Sequence, residues 1–231
     1  MPPARVHLFM RHNGKTEPVI IYFLLFAGVI LFASFPPDLH AMGEDSQFKP
    51  FLVRYDGPWD QRPTALRTVQ RELQLRTSVR VGDEVITGEL DNPNFYQHPF
   101  AWMTGDSTFE PLPERDIDNL RRYLKFGGML VIDDGSGEEN SDFLRSVQRM
   151  VKRIFPAKEL QPLPSDHAIY RSYYFLEGPS GLHSISDALQ AIHVDDRAAV
   201  VFSPNDLSGA LERDSNGWVN SPNPQRDDER E

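Results

Sequence analysis

A strand-helix-strand unit between residues 99 and 134 constrains the fold of this 231-residue chain more than any other segment. Residues 99–105 (PFAWMTG) and 129–134 (MLVIDD) are mainly apolar runs, as expected for strands covered on both faces. Residues 113–128 (PERDIDNLRRYLKFGG) place apolar side chains three and four positions apart and end at a glycine pair, which predicts a helix. A helical crossover of this kind joins two parallel strands, so the sequence predicts an α/β fold.

Further patterns extend this sheet and its helical layers. Apolar runs predict additional strands over residues 48–55, 78–81, 84–87 and 198–202, and helical periodicity predicts helices over residues 62–76 and 141–154. The chain is long enough for one well-filled core. We therefore expect one domain over residues 48–215, with a three-layer, mostly parallel sheet and helices on both faces.

The first 41 residues have the pattern of an export segment. Cations at positions 5, 11 and 15 precede an uncharged apolar run, residues 19–35, which two prolines follow. This pattern predicts a signal peptide or membrane anchor over residues 1–41, then a linker over residues 42–47. The bias of cations toward the cytoplasm predicts a domain outside it, either periplasmic or tethered to the inner membrane through residues 19–35 if they are not cleaved.

The net charge and the absence of cysteine exclude several classes of function. The chain has 24 basic and 34 acidic residues, a net charge of -10, so nothing in its overall field favours nucleic acid as a partner. It contains no cysteine, which excludes disulfides, thiolate zinc sites and cysteine nucleophiles. Residues 216–231 combine asparagine, proline and charge, which predicts a disordered tail.

Polar residues follow several predicted strands at their carboxyl ends, where parallel sheets bind ligands. We expect a rim formed by Asp56, Thr104, Asp106, Asp133, Asp134, Asn205 and Asp206, with Asp166 and His167 as further candidates. Converging carboxylates there would serve acid-base chemistry or hold a hard cation. The alternative is that these side chains only cap loops and helices. Since side chains alternate along a strand, at most one of Asp133 and Asp134 is expected to face a crevice.

Two more specific sites find little support in the residues. Ser136, His167 and an aspartate would make a hydrolytic triad, but Asp134 occupies the place where a nucleophile turn needs glycine. His98, His183 and His193 lack the spacing of metal ligands. The sequence therefore predicts no metal site and no cofactor.

Five blocks in order resemble a bacterial family called domain of unknown function 4159. They are YDGPWDQRP (55–63), FYQHPFAWMTGD (95–106), NLRRYLKFGGMLVIDD (119–134), LPSDHAIYRSYY (163–174) and FSPNDLSGA (202–210). The resemblance implies a flavodoxin-like sheet similar to class I glutamine amidotransferases and an exported or membrane-tethered envelope protein. Members usually continue into a further apolar helix, whereas this chain runs into its tail, so one sheet face is expected to be less covered.

The sequence leaves two functional hypotheses open. The first is an exported, non-catalytic domain that binds a ligand or an envelope protein at the strand-end rim. The alternative is a hydrolase that uses the same carboxylates, with or without a bound cation. Glutaminase activity is not expected, because no cysteine is present.

Overall fold

The computed structural model describes residues 47–172 and 175–214. The strands are β1 (Phe51–Val53), β2 (Ile86–Gly88), β3 (Phe100–Gly105), β4 (Met129–Asp134), β5 (Gln161–Pro162), β6 (Gln190–Val194) and β7 (Arg197–Ser203). The α-helices are α1 (Ala65–Arg76), α2 (Glu114–Lys125), α3 (Asp142–Ile154), α4 (Ala168–Arg171) and α5 (Leu207–Leu211), and a 3₁₀ helix spans Pro93–Gln97.

The seven strands form one mixed sheet in the order β2-β1-β3-β4-β7-β6-β5. The first five in this order are parallel, and β6 and β5 are antiparallel additions at one edge. The predicted α/β class is confirmed. The sequence reading missed β5 and β6: β5 has two residues, and β6 reaches β7 through a tight turn in which Asp195 has a positive φ of 53°.

Of the predicted strands, one is shorter than expected and one does not form. The first predicted strand, residues 48–55, is β1 alone, because Lys49 and Pro50 separate Phe48 from it and Asp56-Gly57 follows it. The strand predicted over residues 78–81 is wrong: only a single bridge links Phe48 to Val81 there. A turn and an exposed loop replace it, since Ser78 and Val79 are open to solvent.

The predicted helices form where the local signals place them. α2 follows Pro113 and carries Glu114 and Asp116 in its first turn, where the helix dipole favours acids. α3 begins at Ser141, whose hydroxyl accepts a hydrogen bond from the amide of Leu144 at 2.8 Å. Both helices direct one apolar face at the sheet, so their amphipathic pattern determines where they pack.

Hydrophobic side chains pack on both faces of the sheet. One large cluster joins β1, β3, β4 and β7 to α2 and α3; we call this side the first face. On the second face, a smaller cluster joins the strands to α1 and α4 around Leu66, Trp102, Val131, Val201 and Tyr170. The second cluster contains fewer buried residues than the first among the residues that the structure describes.

The glycine pair that ends α2 meets two separate requirements. Gly127 has a φ of +109°, a conformation that side-chain-bearing residues rarely adopt, and a Cβ there would meet no atom within 4 Å. Gly128 lies so close to Tyr123 that a Cβ would fall 2.4 Å from its ring. The turn into β4 thus needs one glycine for the backbone and the other for close approach.

The predicted export segment, residues 1–41, and the whole of the predicted tail, residues 216–231, lie outside the described residues. Within residues 47–172 and 175–214, no helix is long and apolar enough to cross a membrane. The compact unit to which all described residues belong begins at Gln47.

Candidate functional site

The carboxyl ends of β3, β4 and β7 place a row of polar side chains beside one another. In the sheet register, Thr104 pairs with Asp133, and Asp133 pairs with Ser203. Asp134 ends β4, and the chain continues from β7 into Asn205 and Asp206 before α5. Thr104, Asp133, Asp134, Asn205 and Asp206 of the predicted rim thus lie at one edge of the sheet. Unexpectedly for a ligand site, all of them are buried, with side chains at most 3% exposed.

Asp133 holds the start of α5. One of its carboxylate oxygens accepts the amide hydrogen of Leu207 at 2.8 Å. The other accepts the amide hydrogen of Ser208 at 2.7 Å and a short hydrogen bond from the Ser208 hydroxyl. The carboxylate is 0% exposed, so it caps the helix across the chain and does not face solvent.

Asp134 holds the start of α3 on the first face. One of its oxygens accepts the amide hydrogen of Ser136 at 2.9 Å, which fixes the loop after β4. The other accepts a short hydrogen bond from the hydroxyl of Ser141, the residue that caps α3. Alternation along β4 therefore sends two adjacent acids to opposite faces, and each one anchors a helix start.

Asp206 joins the end of β7 to the segment before α1. It adopts a left-handed conformation, with φ 53° and ψ 62°, and accepts the amide hydrogen of Gly209 at 2.7 Å. The guanidinium of Arg62, a residue 144 positions earlier in the chain, donates to its other oxygen at 2.6 Å. A Cβ at position 209 would fall 2.2 Å from this carboxylate, so glycine is required there.

Asn205 organises the loop that precedes β6. Its side-chain oxygen accepts the amide hydrogens of Ile185 and Ser186 at 3.1 and 2.9 Å. Its amide group donates to the carbonyls of Pro179 and Ser186 at 3.1 and 2.8 Å. A Cβ on Gly181 would fall 1.8 Å from the Asn205 carbonyl oxygen, so this loop lies directly against the rim.

Burial changes the proton affinity of the rim. Removal from water raises the pKa of Asp133 to about 6, and the charge of Asp206 acts in the same direction, against the hydrogen bonds from Ser208 and Leu207. The hydrogen bond to Asp206, with the nearby charges of Glu212 and Asp133, raises the pKa of Arg62. Arg62 therefore stays cationic and offsets part of the buried negative charge.

The remaining sequence-predicted candidates do not join this cluster. Asp56 and Asp106 are exposed. His167 starts α4, where its ring nitrogen accepts the amide hydrogen of Ile169 at 3.2 Å, and Asp166 beside it is exposed. Within residues 47–172 and 175–214, no hydrogen bond or ion pair connects these four residues to Asp133, Asp134 or Asp206.

The sequence analysis did not identify four residues that contact or lie near the buried aspartates. They are Arg62, Ser141, Ser208 and Glu212. Arg62 lies 144 positions from Asp206, and Ser208 and Glu212 lie in or directly after the five-residue helix α5. Glu212 is 7% exposed, and one of its oxygens has no hydrogen-bond partner in the described part of the chain. Ser141 belonged to the predicted helix over residues 141–154, but no pattern indicated its hydrogen bond to Asp134.

The surface above these buried acids is formed by other groups. Gln61 lies beside Gly135, because a Cβ on that glycine would be 3.2 Å from the Gln61 side-chain oxygen. The ring of His183 lies beside Gly137, which has a φ of +73°. Arg62 is 30% exposed in its side chain. A polar surface with one cation thus covers the buried carboxylates.

The described residues contain no group of three or more acidic or histidine side chains arranged to hold a metal ion. The geometry agrees with this, because each of the six oxygens of Asp133, Asp134 and Asp206 already accepts a hydrogen bond from the protein. A cation would have to displace these donors and expose the helix starts that they satisfy.

Comparison with known proteins adds a family and no activity. A family model described as a domain of unknown function (DUF4159) matches residues 51–230. The match starts at β1 and extends through most of the segment whose composition predicts a tail. No curated protein matches the chain.

Proposed function

The chain belongs to the family described as a domain of unknown function (DUF4159), and we propose that it is a non-catalytic binding domain whose contact surface lies above the carboxyl ends of β3, β4 and β7. One observation carries this proposal: all six carboxylate oxygens of Asp133, Asp134 and Asp206 accept hydrogen bonds within the fold. Carboxylates used in this way support the loops around them, and the loops supply the contact surface.

The contact surface consists of Gln61, Arg62, Ser136 and His183, which lie outside the buried acids. It combines amide, guanidinium, hydroxyl and imidazole groups on loops that Asp134 and Asn205 fix from below. Such preorganisation lowers the entropic cost of binding. A ligand or an envelope protein with acceptor groups would match these donors.

Site-specific photo-crosslinking in cells that make the protein naturally tests the proposed surface. A photoreactive residue at Ser136 or His183 is expected to give a discrete adduct, and one at exposed Arg122 on α2 serves as the matched control. Adducts of equal yield at Arg122, or no adduct at either surface position, would contradict the proposal.

The alternative, a hydrolase that uses the rim carboxylates, has one observation in its favour: the pKa of Asp133 is raised to about 6, within the range of a general acid or base. Against it, Asp133 is 0% exposed and accepts hydrogen bonds from three donors, so a substrate would have to displace α5.

We expect Mg²⁺, Ca²⁺ and Mn²⁺ to leave the melting temperature of the protein unchanged. A saturable increase with any of the three would support the hydrolase.

We further propose that the domain is exported, with the amidotransferase-like, flavodoxin-like fold that the family resemblance implies. The support is the cation-flanked apolar run over residues 19–35. The full chain, made in a Gram-negative host, is expected to be digested by protease added to spheroplasts, while a cytoplasmic marker stays intact. Protection of the domain until the inner membrane is lysed would contradict this location.

A further inference from the structure

A groove on the first face lies away from the rim aspartates. It has a volume of about 620 Å³ and runs between the outer side of α3, the segment 158–160 and Gln190 of β6. This volume lies in the range of natural ligand clefts. The helix, the connecting segment and the strand each contribute to it, so the groove belongs to the fold and not to one loop.

Cations dominate the lining of this groove. Arg145, Arg149 and Lys152 lie on α3 at spacings of four and three residues, which places them along one stripe, and Lys158 follows in the connecting segment. Glu159 is the one acidic lining residue among those the structure describes. The lining thus carries an excess of positive charge on a chain whose net charge is -10.

Arg145 and Lys152 remain available to a ligand, whereas Arg149 donates to the Ser146 hydroxyl at 2.8 Å and Lys158 donates to the His193 carbonyl at 2.6 Å. The side chains of Arg145 and Lys152 are 54% and 57% exposed. Arg145 pairs with Asp142, and Lys152 lies 3.7 Å from Glu159, itself 74% exposed. Exposed ion pairs of this kind contribute about 0 to 1 kcal/mol. A ligand carboxylate can therefore replace or join these partners at little cost.

The other lining groups are apolar or uncharged. Val151 is buried at 3% exposure and Leu160 is partly buried, and both pack with the core of the first face. The side chains of Gln148 and Gln190 add amide donors and acceptors to the lining. Apolar lining between cations suits a ligand that alternates carboxylates with aliphatic groups, and the two amides suit its peptide backbone.

We infer that this groove binds an acidic peptide segment of a partner protein, with glutamate or aspartate side chains on the arginines and lysines and an aliphatic side chain against Val151 and Leu160. Single-stranded nucleic acid fits less well, because the lining residues that the structure describes include no aromatic ring for base stacking. A flat lipid surface does not match a concave groove.

Fluorescence anisotropy at low salt tests this inference on the full chain. The probe is a labelled peptide of alternating glutamate and leucine, and a glutamine-for-glutamate version is its control. The triple substitution Arg145→Gln, Arg149→Gln and Lys152→Gln is expected to weaken peptide binding by about tenfold or more. The charge-matched triple Arg67→Gln, Arg71→Gln and Arg122→Gln, at exposed positions of α1 and α2, is expected to leave it unchanged.

Other outcomes would overturn the inference: equal weakening by both triples, no binding of the glutamate peptide, or binding only of single-stranded DNA or of phosphatidylglycerol vesicles. A second readout does not depend on the variants. Carbodiimide coupling of the peptide to the unaltered protein is expected to modify Lys152 and Lys158 in preference to exposed Lys125 on α2. Uniform labelling of the three lysines would also overturn it.

Discussion

Asp133 shows why a buried acid in this fold is a structural group. Three donors converge on its two oxygens, and all come from the first two residues of α5. Hydrogen bonds to a charged group contribute about 1.5 to 3 kcal/mol each, yet burial of the charge costs several kcal/mol. The pKa of Asp133 is raised because removal of the charge from water destabilises the carboxylate more than these hydrogen bonds stabilise it.

The pH dependence of stability follows from this balance. The pKa of Asp133 rises from an ordinary value of 3.8 to about 6 on folding, so its contribution to stability is complete below pH 3.8 and is lost as the pH rises through 6. The lost free energy is about 3 kcal/mol. Urea unfolding should therefore show that the stability gap between the natural chain and Asp133→Asn narrows from pH 4.5 to pH 7.5. A constant gap, or one that widens with pH, would contradict the assignment.

Asn205 provides a residue-scale prediction that does not depend on pH. Its side chain makes four hydrogen bonds, two as donor and two as acceptor. Asn205→Asp replaces the two donors with a charged oxygen that faces two carbonyls. We expect a loss of about 3 kcal/mol in unfolding free energy. The control is Asn140→Asp at an exposed position, where we expect a change below about 0.5 kcal/mol. Equal effects would show that the four bonds are not formed.

At the scale of elements, the turn between α2 and β4 has one glycine that is required by its backbone conformation and one that is required by a close side-chain contact. Gly127→Ala should cost about 1 kcal/mol, because only its positive φ is disfavoured. Gly128→Ala should cost more, because the new methyl group meets the ring of buried Tyr123, whose hydroxyl shares its hydrogen between the carbonyls of His98 and Met129. Thermal unfolding of both variants measures the two stability losses. A larger decrease in melting temperature for Gly127→Ala than for Gly128→Ala would contradict this explanation of the turn.

The sequence predicted the elements that have strong local signals. β3, α2, β4 and α3 carry long apolar or periodic runs with caps, and their positions agree with the structure within about two residues. β6 was missed because it forms an edge hairpin whose pairing with β7 its own sequence pattern does not encode, and β5 was missed because it is a two-residue strand that pairs with β6. The contact between Arg62 and Asp206 spans 144 positions, and no local pattern encodes it.

At the scale of the whole molecule, the rim aspartates connect elements that are far apart in sequence. Asp133 links β4 to α5, Asp134 links β4 to α3 through Ser141, and Asp206 links the end of β7 to the segment before α1. The sequence predicted that these residues would share one edge of the sheet. It could not predict that they are closed to solvent, because burial there depends on α5 and on the loop that Asn205 holds.

The stability of three aspartate-to-asparagine variants shows whether Asp133, Asp134 and Asp206 serve the fold or a reaction. An asparagine nitrogen cannot accept a hydrogen bond, so Asp133→Asn and Asp134→Asn each leave a buried donor without an acceptor, and Asp206→Asn removes the charge that pairs with the partly buried Arg62. The account predicts that each substitution lowers the unfolding free energy at pH 7 by about 2 kcal/mol or more. Asp56→Asn and Asp106→Asn, at exposed positions, should stay within about 0.5 kcal/mol of the natural chain. Unchanged or increased stability in the three rim variants would contradict the account, because acids kept for catalysis or metal binding commonly reduce stability.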